Sequence, residues 1–187
     1  MRVNRAESGR QAKFSGDAWE SWVETQHEKA KHLGILAHVT HTQAIAKVIH
    51  GRLTYTKKGD ADYVGCLESG LVGGNSLGLA RYLAVEAKST KDARFPRNEI
   101  SSKQQEHLGC VDRAGGLALL LVEFREPSCR RFAVIWHSIP WQVKRTAESI
   151  SADDLKGWEV VPECYLKRWH AGGVSSTAAR MRRYARE

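Results

Sequence analysis

The apolar positions of the chain follow two rhythms. From Leu117 to Phe124 they are almost continuous (LALLLVEF), the pattern of a central strand covered on both faces. From Leu83 to Lys88 they alternate: Leu83, Val85 and Ala87 point one way, and Ala84, Glu86 and Lys88 the other. Shorter strands are predicted over 35–40, 60–67 and 131–136. A helical period starts near Asp17, with Trp19, Trp22, Val23, Ala30 and Leu33 on one face and Gly34 as the stop. A second helix is predicted over 98–113, burying Ile100, Gln104, Leu108 and Val111, and closed by Gly115-Gly116. Further helices are predicted over 140–146 and 162–169, with Ser151-Ala152-Asp153-Asp154 as a cap between them. This alternation of strands and helices predicts an α/β fold.

The connecting segments are basic. Residues 1–14 read as a mobile arm carrying Arg10 and Lys13, and 171–187 as a basic tail. Residues 41–58 mix helix-like and strand-like spacing and read as an excursion from the core, with Lys47, Arg52, Lys57 and Lys58. Residues 91–97 read as a loop bearing Lys91, Arg94 and Arg97, and Lys103 follows on the second helix. No linker or internal repeat divides the 187 residues, so one domain is expected. The net charge of +8 favours a polyanionic partner, most simply nucleic acid. The four cysteines are widely spaced, which argues against a structural zinc site or a disulfide framework. The polar N-terminus has no signal-peptide pattern and no apolar run is long enough to span a bilayer, so a cytoplasmic location is expected.

The chemistry centres on Glu86 and Lys88. A carboxylate and an ammonium two residues apart on a strand suit metal-assisted phosphodiester hydrolysis: the carboxylate holds a divalent cation, and the lysine positions water or offsets phosphorane charge. The same triplet also occurs on ordinary solvated strands. If the strands holding Asp62 and Glu86 form an antiparallel hairpin, the two carboxylates meet on one face; otherwise Asp62 is a turn residue. Glu20, three residues after Asp17, is either an N-cap partner or a third acidic group at the site. Gln104 is either a satisfied core amide or a group reaching the site. His38, His41 and His50 match no metal-ligand spacing.

The ordered set of Glu20, Asp62, Glu86-x-Lys88 and Gln104 resembles the core of the PD-(D/E)XK nucleases. Gly16-Asp17-Ala18-Trp19-Glu20, Asp62-Tyr63-Val64-Gly65, Glu86-Ala87-Lys88-Ser89-Thr90, Phe95-Pro96 and Gln104-Gln105-Glu106-His107-Leu108 are similar to motifs of the Holliday junction resolvases of the RecU and Hjc types. The resemblance runs from Gly16 to about Trp169. It implies a central mixed β-sheet flanked by helices, and a homodimer that nicks four-way DNA junctions in pairs. It further implies that Asp62, Glu86 and the Ala87 carbonyl bind Mg²⁺, or Mn²⁺ in its place. Lys88 would orient water, Glu20 would act through bound water, and Gln104 would support the site. Residues 41–58 stand where RecU proteins carry a longer stalk. Asp60-Ala61 replaces the threonines usual before the motif aspartate, which leaves Asp60 as an extra ligand or a turn residue. Two other readings share these features: a branched-DNA-binding protein without catalysis, and a general or restriction-type nuclease of the same core.

Overall fold

Strand β7 (Leu117–Phe124) has all eight residues buried, and its alternate side chains enter two separate cores. A computed structural model describes residues 5–42, 45–49, 52–57, 60–68, 81–143, 147–160 and 163–170. The main sheet has five strands in the order β1 (Leu36–His41), β4 (Tyr63–Leu67), β5 (Arg81–Thr90), β7 and β8 (Arg130–Ile135). Only the β5–β7 pair is parallel; the other neighbours are antiparallel. Helix α1 (Arg5–His32) covers one face, packing Trp19, Val23 and Ala30 on Leu83, Val85, Leu119 and Leu121. Helix α2 (Ser102–Arg113) covers the other, with Leu108 and Val111 on Ala84, Ala118, Leu120 and Val122. Such a two-sided core explains the almost continuous apolar run: Leu119→Ala or Leu120→Ala would each cost about 2–5 kcal/mol.

Two close approaches depend on glycine. A Cβ on Gly65 would collide with the His38 carbonyl oxygen and lie 2.9 Å from Val39 Cα, so β1 and β4 pair only because that position is bare. Gly34 ends α1 with φ +63°, the left-handed conformation that lets the chain turn into β1.

Several boundaries differ from the sequence reading. Helix α1 begins at Arg5, not near Asp17, so residues 5–14 are helical where a mobile arm is expected. Ala6, Glu7, Arg10, Gln11, Ala12 and Lys13 are strong helix formers, and the pairs Ser8-Gly9 and Ser15-Gly16 do not outweigh them. Asp17 is therefore interior to the helix and Glu20 is no cap partner. Helix α2 starts at Ser102 because Ser101 caps it, its side chain accepting from the Gln104 N–H. The stretch 91–97 is not all loop: β6 (Arg94–Pro96) pairs with β9 (Ser149–Ser151), drawn in by buried Phe95 opposite Ile150. Helix α3 (Pro140–Val143) begins where expected, and 144–146 lie outside the described residues; helix α4 (Lys167–His170) begins later than the expected 162, and 161–162 lie outside the described residues. Residues 171–187 lie outside them as well.

The excursion is a hairpin. Strands β2 (Ile45–Ile49) and β3 (Arg52–Lys57) pair antiparallel with each other and with no strand of the main sheet among the described residues.

Candidate active site

The antiparallel β4–β5 register sets Tyr63 opposite Val85 and Val64 opposite Ala84. One step further out, Asp62 comes level with Glu86. The Ala87 N–H donates to Asp62 Oδ2 at 2.9 Å, fixing that carboxylate against the strand. Lys88 Nζ lies 3.3 Å from Asp62 Oδ2 and also contacts Glu86 Oε1, so one ammonium bridges the two carboxylates. Glu86 is fully buried, which a merely solvated strand residue would not be.

Gln104 joins this group from α2. Its Nε2 donates to Glu86 Oε1 at 2.5 Å. Its Oε1 accepts from the Ser101 N–H at 3.0 Å and the Ser101 hydroxyl at 2.8 Å. The capping box thus occupies the amide's acceptor and leaves its donor for Glu86. The two readings of Gln104 merge: its amide is satisfied because it reaches the site.

Burial opposes the charge on Lys88, yet Asp62 and then Glu86 outweigh it and raise the ammonium above its ordinary pKa. The two carboxylates therefore favour the proton-bearing form of Lys88.

A cleft of about 300 Å³ opens beside the triad, lined by Glu20, His41, Asp62, Tyr63, Ala87, Lys88, Ser89 and Arg125 among others. Glu20 enters from α1 and is exposed; no hydrogen bond or ion pair joins it to the triad. Beyond the cleft, Ser89 donates to Glu123 Oε2 at 2.8 Å, and Arg131 pairs with Glu123 at 2.9 Å while lying over the Trp22 ring. This chain of contacts ties the end of β5 to the helix that carries Glu20.

The RecU family sequence model, described as Recombination protein U, matches residues 39–160, a span of 122 of the 187 residues. The chain belongs to the RecU family. Membership makes it a Holliday junction resolvase: an endonuclease that binds branched DNA and resolves four-way junctions. Nucleases of this kind use divalent metal ions. Among solved structures, the Hjc Holliday junction resolvase of Archaeoglobus fulgidus is similar at 16% identity. That match covers 72% of this chain and 90% of Hjc, with a TM-score of 0.40. No curated protein matches.

The donors of this RecU-family site fit a hard divalent cation. Asp62, Glu86 and the Ala87 carbonyl offer only oxygen, and the Lys88 ammonium already stands between the carboxylates as a cation would. No group of three or more His, Cys, Asp or Glu side chains suited to a metal occurs among the described residues. Mg²⁺ does not require one, since it is commonly held by one or two carboxylates with water and substrate phosphate. His41 stacks on Tyr63, and His38 bonds Thr40; His50 lies outside the described residues. Asp60 pairs with Lys103 at 2.5 Å, away from the triad.

The expected phosphate contacts are spread widely. Lys91 is exposed, with no hydrogen bond or ion pair to a described residue. Arg94 bonds Ser149 and pairs with Asp154, and Arg97 bonds Gln105. Lys47 lies in β2, Arg52 and Lys57 in β3, and Arg10 and Lys13 in α1; Lys58 lies outside the described residues. The sequence reading missed Arg125, which enters the cleft one residue past β7. A charged residue after an apolar strand is too ordinary to draw notice.

Proposed function

We propose that this RecU-family endonuclease resolves junctions by Mg²⁺-dependent paired nicking, with Mn²⁺ as a substitute, acting as a homodimer in the cytoplasm. The observation that carries the reading is the pair of carboxylates, Asp62 and Glu86, held against one ammonium beside an open cleft. Asp62, Glu86 and the Ala87 carbonyl would hold the cation. When bound, it supplies Lewis-acid stabilisation of charge on the scissile phosphate. Lys88, kept protonated, donates to the attacking water and offsets charge on the phosphate oxygens. Glu20 reaches the reacting groups through water, and Gln104 keeps Glu86 in place. By family resemblance the products carry 5′-phosphate and 3′-hydroxyl ends.

DNA is held by backbone contacts from Arg10, Lys13, Lys47, Arg52, Lys57, Lys58, Lys91, Arg94, Arg97 and Lys103. Of these, Lys103 must exchange its bond with Asp60 for a phosphate. The test is incubation of a labelled four-way junction and a matched linear duplex with Mg²⁺, with Mn²⁺ and with excess chelator. Paired nicks in the junction alone, dependent on metal, are expected. Full cutting in chelator overturns the proposal.

A further inference from the structure

The cleft beside the triad is lined by the carboxylates of Glu20 and Asp62, with Glu86 buried behind them, so most of its side-chain charge repels a phosphodiester. Besides Lys88, the cation lining it is Arg125. Arg125 follows β7 directly, and its N–H donates to the Thr90 carbonyl at 2.9 Å, extending the β5–β7 ladder and anchoring the base of the side chain. The side chain is partly buried. Its Nε is shielded from solvent without an acceptor among the described residues, and the guanidinium makes no hydrogen bond or ion pair to them. Nearby arginines are committed: Arg130 to Asp153 and Glu159, and Arg131 to Glu123. A buried guanidinium N–H without an acceptor is costly in an empty protein, and a site whose ligand brings the acceptor removes that cost. Two other lining residues, Trp19 and Tyr63, also carry a buried polar atom (Nε1 and Oη) lacking a hydrogen-bond partner among the described residues.

Position selects which phosphate. Thr90 pairs with Phe124, so Arg125 lies one step past Thr90 and three past Lys88. At a strand rise of about 3.3 Å per residue, its backbone is offset from Lys88 by about 10 Å. We propose that Arg125 binds a DNA phosphate flanking the scissile one, its planar fork gripping two phosphate oxygens and holding the strand in line with Lys88. The inference rests on the nuclease reading of the cleft. The guanidinium geometry suits phosphate in a way that an ammonium does not.

Two measurements test it. In the first, junction binding without metal is followed against salt for the parent, Arg125→Ala, Arg125→Gln and Arg125→Lys. Loss of one phosphate contact should make the slope of log K against log salt shallower by about 0.9 in Arg125→Ala and Arg125→Gln, with partial recovery in Arg125→Lys. In the second, each phosphate flanking the cut is replaced in turn by a neutral methylphosphonate. At one position the parent should slow by about tenfold, while Arg125→Ala, already slow, should slow no further. Lys156→Ala, which removes an exposed charge elsewhere, is the control and should match the parent. The inference is overturned if Arg125→Ala and Arg125→Gln, both folded by melting temperature, keep the parent slope. It is also overturned if Arg125→Ala adds the same further loss at every methylphosphonate position. A parent that binds junctions but cuts nothing with metal overturns the nuclease reading instead, and the salt slopes still decide on Arg125.

Discussion

At the scale of single residues, the site works by confinement of charge. Two carboxylates brought together repel unless a cation lies between them, and Lys88 supplies one unit of positive charge for two of negative. Asp62→Asn or Glu86→Gln should therefore abolish cutting while leaving junction binding intact or tighter, as read by gel shift and cleavage on one labelled substrate. Lys88→Ala should slow cutting by about 10²–10³-fold, the usual scale for removing one stabilising donor. Lys88→Arg should not restore the rate, because a guanidinium is broader and aims its donors differently. The residue types were legible in the sequence because Glu86-x-Lys88 sits on an alternating strand and Asp62 opens the strand before it. The orientation of Gln104 was not, since it depends on Ser101 taking the acceptor side of the amide. Arg125 was not either, because only the parallel β5–β7 pairing carries it to the cleft.

At the scale of elements, strand patterns survived better than helix ends. Strand β7 was readable to the residue, since a segment buried on two faces is almost wholly apolar; its one charged residue, Glu123, is held by Ser89 and Arg131. The start of α1 was lost because propensity, not amphipathic packing, extends it back to Arg5. Strand β6 was hidden in a basic stretch, where only Phe95 signals burial. Helix α1 is fastened to the segment before α4 by a joint the sequence did not announce: His27 Nε2 lies 2.7 Å from the Tyr165 hydroxyl. Burial, with help from Lys31, lowers the His27 pKa from 6.5 to about 4. The unfolded chain thus takes up a proton below about 6.5 that the folded chain refuses until about 4. Stability should be flat above that window and fall through it on acidification, by roughly 3 kcal/mol from this one group. Urea midpoints of the parent and His27→Gln between pH 7 and 4 check this. The variant starts lower at pH 7 and should lose less across the range. A parallel decline in both would assign the acid sensitivity to other groups.

At the scale of the molecule, the proposed grip on a junction rests on the net charge of +8 and on the hairpin. Binding through backbone contacts implies a slope of about −0.9 in log K against log salt for each phosphate neutralised. Affinity that barely changed between low and physiological salt would contradict an electrostatic interface. A junction has approximate two-fold symmetry and needs two opposed nicks, whereas one chain carries one Asp62–Glu86 site. A C2 homodimer meets both demands with a single interface. Among the described residues strands β2 and β3 pair only with each other, so the hairpin is a module that can be shortened without breaking the five-stranded sheet. It carries Lys47, Arg52 and Lys57, and a basic projection from each subunit towards the branch point would read shape and phosphates, not base edges. Replacing residues 43–52 by a short turn should therefore reduce the preference for junction over duplex about tenfold or more. It should leave the metal requirement and the effect of Glu86→Gln as they are in the parent. Sedimentation of the parent should give a dimer at working concentration, and mapped cuts should fall in symmetric pairs near the crossover. A monomer throughout would remove the basis for paired nicking, because the second nick would then require a second, independent encounter.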